Sequence, residues 1–337
     1  MRAKTPASKA KRLGNRNKMT HMEWLKGRQN SIGASEVAAI LGLHKYATPW
    51  STYRDKTSEV KELTNDAIKM GILFEPHIYQ IWSEKMQATQ TDSFTFYTCP
   101  TILQHAKCER LTTNLDGWGR VEIEDSWTSG DSDFKSKFSE SFVVEIKHVG
   151  IYARGDWNHF QETGEPCGIF LAYWLQVQAQ LAITGWSYGF LVVLIDKKLE
   201  HIKIQADKEA QETITKEISA FWKVHIETET PPAPDALDMA RINQIHSKEE
   251  PGKELEKPEA LELVTKHREI QAIKKKKEKE IIKPMAAELK SLEAQIALTM
   301  GDAEVMTFGD DTAPVTWKTV KRKGHTVQPS ESRRLKI

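Results

Sequence analysis

A strand of buried type that carries two charges near its end constrains the fold of this 337-residue chain most strongly. The segment SFVVEIK, residues 141–147, has the apolar, β-branched centre that is typical of a buried strand. Glu145 and Lys147 stand two residues apart on it, so their side chains point to the same face. Asp116 lies earlier, in TTNLDGWGRVEIED, and begins another short alternating segment. The pattern predicts a long hairpin, with polar residues 128–140 as its loop and an acid beside an acid-x-lysine pair.

These three side chains suit the hydrolysis of a phosphodiester. Asp116 and Glu145 can jointly bind Mg²⁺, which takes oxygen ligands and keeps several waters, and the backbone carbonyl of Ile146 could add a ligand. One ion would lower the pKa of the attacking water, and a second would clamp the leaving oxygen. Lys147 would orient the water or stabilise charge in the transition state. Exposed Glu-x-Lys pairs usually serve only solubility, but apolar residues surround this one, and a charge in such a place needs a partner.

Charge is distributed unevenly along a chain of otherwise ordinary composition, which is 39% hydrophobic and 28% charged. The net charge is only +1, but residues 1–20 hold seven lysines and arginines and no acid. Such a run predicts a disordered basic arm, which is either a solvated tail or a contact to DNA. The length allows one sizeable core with a second unit behind it.

The three cysteines show no CxxC spacing. We expect reduced, buried thiols of a cytoplasmic protein rather than a disulfide set or a zinc site. No apolar run approaches the roughly 18 residues that a membrane span needs, and no apolar segment behind the basic start indicates a secretory signal. A membrane partner is therefore not expected.

Helical and strand-like segments alternate through a predicted core at residues 21–227. Helices are predicted over 22–46 (two, broken at a glycine-containing turn), 48–57, 67–86 and 173–185, and strands over 91–124, 141–147, 186–196 and 199–206. The mixture predicts an α/β (α+β) fold.

Prolines in TETPPAPDALD mark the end of that core and the start of a linker, residues 228–257. In the last segment, 258–337, Pro284 is predicted to divide a charged helical stretch into a helical hairpin. The lysine run 274–277 within it is either a solvated face or a DNA contact. A small β-hairpin turning at Gly309-Asp310-Asp311 and a basic tail complete the predicted organisation.

Several polar residues of the core are further candidates for a site. Arg28 and Ser35 flank a predicted helix N-terminus, where backbone N–H groups and a guanidinium suit a phosphate, although the local sequence by itself favours a capped helix with a surface arginine. Glu75 falls on an apolar helical segment, where either a metal or a helix N-terminal position would account for it. Tyr173 and Gln176 share one face of the helix 173–185, with Gln180 four residues further on. That face is either part of a site or a polar rim.

Five segments in order over residues 28–195 resemble the YqaJ-like viral recombinases, the family of lambda exonuclease, within the PD-(D/E)XK nuclease superfamily. They are RQNSIGASEVAAILGLHKYATPWSTYRDKT, GILFEP, TTNLDGW, VVEIK and YWLQVQAQLAITG. The resemblance implies a restriction-endonuclease-like core, a twisted mixed β-sheet flanked by helices. It also implies Mg²⁺-dependent 5′-to-3′ degradation of one strand of duplex DNA, with Mn²⁺ as an alternative ion and one or two ions per site.

The resemblance also implies residue roles. Asp116 and Glu145 would be metal ligands, Lys147 the catalytic lysine, and Glu75 a support for the metal-bound waters. Gln176 and Tyr173 would line the active site. Arg28 and Ser35 would bind the terminal 5′-phosphate of DNA, whereas Asn114 stands where the family often has a small residue, which leaves its phosphate role open.

Three functions follow as alternatives. The first is an exonuclease that acts on double-stranded DNA ends in the bacterial or phage-infected host cytoplasm, works with a phage single-strand annealing protein and forms a homo-oligomer, for which a trimer is one form. The second keeps the metal site in an endonuclease or nickase of repair or restriction. The third is a DNA-binding recombination scaffold with an inert site.

Overall fold

The computed structural model describes residues 2–60, 66–89, 93–129, 132–246, 254, 256–300, 305–307 and 315–316. The chain divides into two compact units, Met1–Ala240 and Arg241–Ile337. The strands of the first unit are β1 (Arg2–Ala3), β2 (Lys11–Asn15), β3 (Ile32–Gly33), β4 (Ser93–Thr98), β5 (Thr101–Gln104), β6 (Leu111–Thr113), β7 (Gly117–Ser129), β8 (Ser132–Val149), β9 (Tyr188–Ile195) and β10 (Lys198–Gln205). Its helices include α1 (His21–Arg28), α2 (Val37–Ile40), α3 (Pro49–Thr57), α4 (Asp66–Thr89), α5 (Arg154–Thr163), α6 (Ile169–Thr184) and α7 (Lys208–Phe221).

Two mixed sheets form the first unit. The larger has the order β1-β4-β7-β8-β9-β10, and the smaller has the order β2-β5-β6-β3. In the larger sheet β7 and β8 pair antiparallel, whereas β8 and β9 pair parallel. The predicted fold, a mixed sheet flanked by helices, is confirmed.

Helices cover both faces of the central strand β8. Because its side chains alternate, successive residues of β8 face α4 and α6 in turn. Val144 and Ile146 pack in one apolar cluster with Tyr79 and Trp82 of α4. Val143 packs in the other cluster, to which α6 contributes most of its buried apolar residues. Since side chains alternate along a strand, Glu145 and Lys147 lie on the α6 side of the sheet.

The predicted hairpin is confirmed, but the predicted loop at 128–140 is wrong. Strand pairing between β7 and β8 continues from Gly117↔Val144 to Ser129↔Ser132. A polar composition does not prevent such a ribbon, because each strand satisfies the other's backbone groups.

The basic N-terminal residues are also not a disordered arm where the structure describes them. β1 pairs with β4, and β2 pairs with β5. The ammonium of Lys4 lies 4.9 Å from the ring centroid of Tyr97, and Lys11 Nζ lies 2.7 Å from Glu109 Oε1. Sheet edges offer unpaired backbone groups, so this segment finds partners that its composition does not reveal.

Part of the predicted linker packs within the first unit. Asp238, in a short 3₁₀ turn, is buried and accepts a 2.7 Å hydrogen bond from Thr48 Oγ1. The helix α8 (Met239–Ile245) follows that turn.

In the second unit one helical run replaces the predicted helical hairpin. α9 (Leu261–Lys277) passes through a π-helical turn, Glu278–Ile282, directly into α10 (Lys283–Met300). Pro284 lacks an N–H and its ring opposes the carbonyl four residues earlier, and the π turn before it changes the hydrogen-bond spacing there. β11 (Val305–Met306) pairs antiparallel with β12 (Val315–Thr316), while the turn predicted between them and the basic tail lie outside the described residues.

Cys99 and Cys108 are buried free thiols, as predicted, whereas Cys167 is a half-buried free thiol. None of the helices in the described ranges is long and apolar enough to cross a membrane.

Candidate active site

Asp116 reaches the middle strand of the sheet because its own strand begins one residue later. β7 starts at Gly117, which pairs with Val144, so β8 continues past the end of its partner. Ile146 N, which lies beyond the paired stretch, donates a 2.9 Å hydrogen bond to Asp116 Oδ2. This hydrogen bond joins the predicted acid to the strand that carries Glu145 and Lys147.

Glu145 is completely buried, yet each of its oxygens has a hydrogen-bond donor. Gln176 Nε2 lies 2.6 Å from Oε1, and Gln180 Nε2 lies 2.6 Å from Oε2. The two glutamines stand one helical turn apart on α6, so both amides face the sheet. Because a buried carboxylate is costly without hydrogen bonds, these amides stabilise Glu145 and set the orientation of its carboxylate.

Lys147 completes this group on the same face of β8. Its Nζ donates to Glu145 Oε1 at 2.5 Å and lies 5.1 Å from the ring centroid of Tyr173 on α6. Burial alone would lower the pKa of Lys147, but the carboxylates of Glu145 and Asp116 raise it above the ordinary value. Lys147 is therefore held as a positive charge beside these carboxylates.

Glu75 approaches the group from the other side of the sheet. α4 begins at Asp66 and includes Pro76, so a helix N-terminal position does not account for Glu75. A cavity of about 260 Å³ is lined by Glu75, Asp116 and Ile146, together with Pro76, Tyr79, Gln80 and Thr98. Glu75 of α4 and Asp116, which directly precedes β7, therefore line the same cavity.

Burial and mutual repulsion both raise the pKa values of Asp116 and Glu75. Burial raises the pKa of Asp116 well above its ordinary value, and the charges of Glu145 and Glu75 raise it further. Burial likewise raises the pKa of Glu75, with a further contribution from Glu145. A cation placed among these groups would remove the repulsion, because an opposite charge favours the ionised form.

The donor set fits a hard divalent ion that keeps waters. Within the described parts of the chain, no three His, Cys, Asp or Glu side chains are grouped closely enough to hold a metal ion by themselves. Mg²⁺ binds through one or two carboxylates and retains several waters, so Asp116, Glu145 and backbone oxygen suffice for it. Gln180 Oε1 is buried and has no hydrogen-bond partner among the described residues, which leaves an acceptor for such a water.

Arg28, Ser35 and Asn114 form a second polar group around Trp24. The guanidinium carbon of Arg28 lies 5.0 Å from the ring centroid of Trp24, and its Nη2 donates a long, 3.4 Å hydrogen bond to Ser35 Oγ. Trp24 Nε1 donates to Asn114 Oδ1 at 3.1 Å. Asn114 stands two residues before Asp116, so the two groups are joined through one short loop.

An ion-pair cluster lies behind that arginine. Glu36 Oε1 is 3.1 Å from Arg28 Nη2, and Glu36 Oε2 is 2.7 Å from Lys56 Nζ. The backbone N–H of Gly33 also donates to Glu36 Oε2, at 2.6 Å.

The structure thus places the predicted residues in two groups. Asp116, Glu145, Ile146, Lys147, Glu75, Gln176 and Tyr173 belong to the first group, and Arg28, Ser35 and Asn114 belong to the second. Sequence reasoning assigned no role to Gln180, although its spacing from Gln176 pointed to it. It missed Trp24, Glu36 and Lys56, for which no local pattern gave a signal.

Residues 23–187 match the model of a family described as the YqaJ-like viral recombinase domain. The uncharacterized protein YqaJ of Bacillus subtilis (strain 168) is 28% identical over 323 residues, which cover 93% of this chain and 88% of that protein. Every residue of both polar groups lies inside the matched domain.

Two exonucleases are among the similar solved structures. The alkaline exonuclease LHK-Exo from Laribacter hongkongensis is 20% identical, with a TM-score of 0.41, and the alignment covers 67% of this chain and 100% of that one. A phage-related exonuclease from Haemophilus somnus 129PT is 10% identical, with a TM-score of 0.37, and the alignment covers 59% and 95% of the two chains.

Proposed function

Because residues 23–187 place this chain in the YqaJ-like viral recombinase family, we propose that it is a divalent-metal-dependent exonuclease that acts on the ends of linear double-stranded DNA. The observation that carries the proposal is the 2.9 Å hydrogen bond from Ile146 N to Asp116 Oδ2. It sets one acid beside the Glu145-x-Lys147 pair on the neighbouring strand. That combination supplies ligands for an ion and a cation for a phosphoryl group.

Each residue has a separate task in this proposal. Asp116, Glu145 and the Ile146 carbonyl would hold the ion, Mg²⁺ or Mn²⁺ and one or two per site, while Glu75 would orient its waters. Such an ion supplies a water of lowered pKa and neutralises charge on the phosphoryl oxygens. Lys147 would orient the attacking water or stabilise the negative charge that develops in the transition state. Gln176 and Gln180 hold Glu145, and Tyr173 packs beside the ammonium of Lys147.

The second polar group would select the end of the DNA. Arg28 and Ser35 are the proposed donors to a terminal 5′-phosphate, since an arginine beside a hydroxyl suits a phosphate. Binding there would set a 5′-to-3′ direction and leave 3′ single strands for a phage single-strand annealing protein. A ring-shaped homo-oligomer, such as a trimer, would keep the duplex threaded during successive cleavages.

One assay separates this function from its alternatives. The protein is incubated with Mg²⁺ and either a linear duplex with 5′-phosphates or covalently closed circular DNA. Loss of the linear duplex with circles left intact supports the exonuclease, whereas nicking of circles supports an endonuclease or nickase. Binding of DNA without cleavage under any divalent ion supports an inert scaffold.

Two further measurements test the finer statements. Duplexes labelled at the 5′ or the 3′ terminus of one strand distinguish the direction, because 5′-to-3′ degradation releases the 5′ label first. The mass of the protein in solution tests the trimer.

A further inference from the structure

Lys56 is a buried lysine whose hydrogen bonds all converge behind the proposed phosphate site. Its side chain is 2% exposed, which is rare for lysine. Nζ donates to both oxygens of Glu36, at 2.9 and 2.7 Å, and to the backbone carbonyl of Arg28, at 2.9 Å. An ammonium has three protons, so each can serve one of these acceptors.

Glu36 stands between Lys56 and Arg28 and contacts both. Its Oε1 lies 3.1 Å from Arg28 Nη2, the same guanidinium nitrogen that reaches Ser35. A carboxylate in that position competes with any phosphate for the arginine, because both offer oxygens to the guanidinium fork. The charge of Glu36 therefore determines how strongly Arg28 can bind a second anion.

Lys56 changes that competition. Two cations share one carboxylate in this cluster, so one net positive charge remains. The ammonium donates to both oxygens of Glu36 and the Gly33 N–H donates to Oε2, so the guanidinium is only one of several donors that share this carboxylate. Burial lowers the pKa of Lys56 despite the attraction of Glu36.

We propose that Lys56 is a positioning residue that determines specificity for a 5′-phosphorylated end: it neutralises Glu36, so that Arg28 stays available to the terminal phosphate. This inference rests on the proposed function. Buried ion pairs are often replaceable by apolar residues without loss of stability, so stability alone does not explain a buried lysine at this place.

The test compares kcat/KM on two linear duplexes that differ only in a 5′-phosphate or a 5′-hydroxyl. The ratio of the two values cancels any general loss of activity. In Lys56→Met, Arg28 is the one cation of this cluster that still pairs with Glu36, beside the Gly33 N–H. We expect the preference for the phosphorylated end to fall by about tenfold, since loss of one partner of a buried charge pair has an effect of at least this size. In Lys56→Met/Glu36→Gln the competing carboxylate is gone, and we expect the preference to return.

This rescue separates the proposal from a merely structural role of Lys56. A lysine needed only for folding would leave the ratio unchanged in the single variant, or would leave it low in the double variant, and either result overturns the inference. If Lys56→Met does not fold, Glu36→Gln decides alone: the proposal requires an equal or stronger preference than that of the wild type, and a weaker one overturns it.

The proposed function fails in a different way. A wild-type protein that degrades neither duplex with Mg²⁺ or Mn²⁺ refutes the nuclease and, with it, the role of Lys56. A wild type that degrades both ends equally fast retains the nuclease but refutes the phosphate site and this inference.

Discussion

Gln180 Nε2 lies 2.6 Å from Glu145 Oε2, and both side chains are completely buried between α6 and the sheet. Gln180→Leu removes the donor while keeping most of the volume. Partners that orient a metal ligand typically contribute about 10–100-fold to metal affinity or activity, and we expect a loss of that size. Calorimetric titration with Mg²⁺ and measurement of kcat on linear duplex check this expectation.

Gln178→Leu is the matched control on the same helix. Gln178 is equally buried, but its amide donates to the Gln205 carbonyl and its Oε1 accepts from Asp207 N. We expect this variant to lose stability and to keep its affinity for the ion. Equal loss of affinity in the two variants would contradict a specific role for Gln180.

Gly117 lies where no side chain fits. A Cβ built on it would be 2.2 Å from Cζ of Tyr79, whose hydroxyl lies within hydrogen-bonding distance of the carbonyl oxygens of Tyr97 and Trp118, at 2.9 and 3.0 Å. We expect Gly117→Ala to destabilise the fold by about 1–3 kcal/mol, as overpacking usually does. Activity should fall as well, because Asp116 precedes Gly117 directly. Urea unfolding and kcat/KM on linear duplex measure both effects.

Gly150→Ala provides the comparison for that variant. Its built Cβ meets no atom within 4 Å, and its φ of −71° is ordinary for alanine. The free energy of unfolding should stay within about 0.5 kcal/mol of the wild type. Two equally destabilised variants would show that the contact with Tyr79 is not the cause.

Much of the proposed metal-binding group follows from local rules of the sequence. The strand 141–147 is apolar and β-branched, and its period of two places Glu145 and Lys147 on one face whatever the strand pairs with. The spacing of Gln176 and Gln180 places both on one face of a helix. What no local rule specifies is that this helix face lies over that strand face, since the contact joins distant parts of the chain.

The errors arise from the same source. The composition of residues 2–20 predicts disorder, but backbone groups in this segment pair with strands at the edges of the two sheets. Such pairing uses backbone N–H and C=O groups, so the composition does not indicate it. Lys56 lies in a short polar helix, where a buried ammonium and an exposed one have the same local sequence. Pro284 predicts a break in an α-helix. In the structure the π-helical turn that precedes Pro284 joins α9 to α10 without a break.

Arg28→Ala should affect phosphorylated ends selectively. The guanidinium lies against Trp24 and Ser35, and it has no direct contact with the proposed metal ligands among the described residues. We expect kcat/KM to fall mainly on duplexes with a 5′-phosphate, because 5′-hydroxyl ends offer no anion to the arginine. Equal losses on both ends would remove the phosphate site from this part of the molecule.

Glu36 should make stability depend on pH in the acid range. Burial alone would raise its pKa, but Arg28 and Lys56 lower it below the ordinary value of 4.5. The ionised form therefore stabilises the fold at pH values above the unfolded pKa, and this contribution is lost as the pH falls through the lowered folded pKa. The difference in unfolding free energy between the wild type and Glu36→Gln should shrink below about pH 4.5. Denaturant unfolding at a series of pH values measures it, and a difference that stays constant with pH contradicts this account.

Asp116→Ala and Lys147→Ala should each reduce kcat by at least about 10²-fold, as removal of electrostatic groups at a transition state does. The two losses differ in origin. Asp116→Ala removes a proposed ligand and should weaken Mg²⁺ binding, whereas Lys147→Ala removes a cation beside the carboxylates and should not weaken it.

Lys203→Ala controls for the loss of a lysine from this sheet. Lys203 lies on β10, and its ammonium contacts the ring of Tyr188 on β9 rather than the proposed site. Full activity in both site variants would place the chemistry elsewhere in the molecule. If both variants lose activity but only Asp116→Ala loses metal affinity, the role of Asp116 as a ligand is distinguished from the role of Lys147 as a cation. That separation follows from the geometry, because Asp116 accepts a hydrogen bond from the backbone of β8 at Ile146, while Lys147 contacts the side chains of Glu145 and Tyr173.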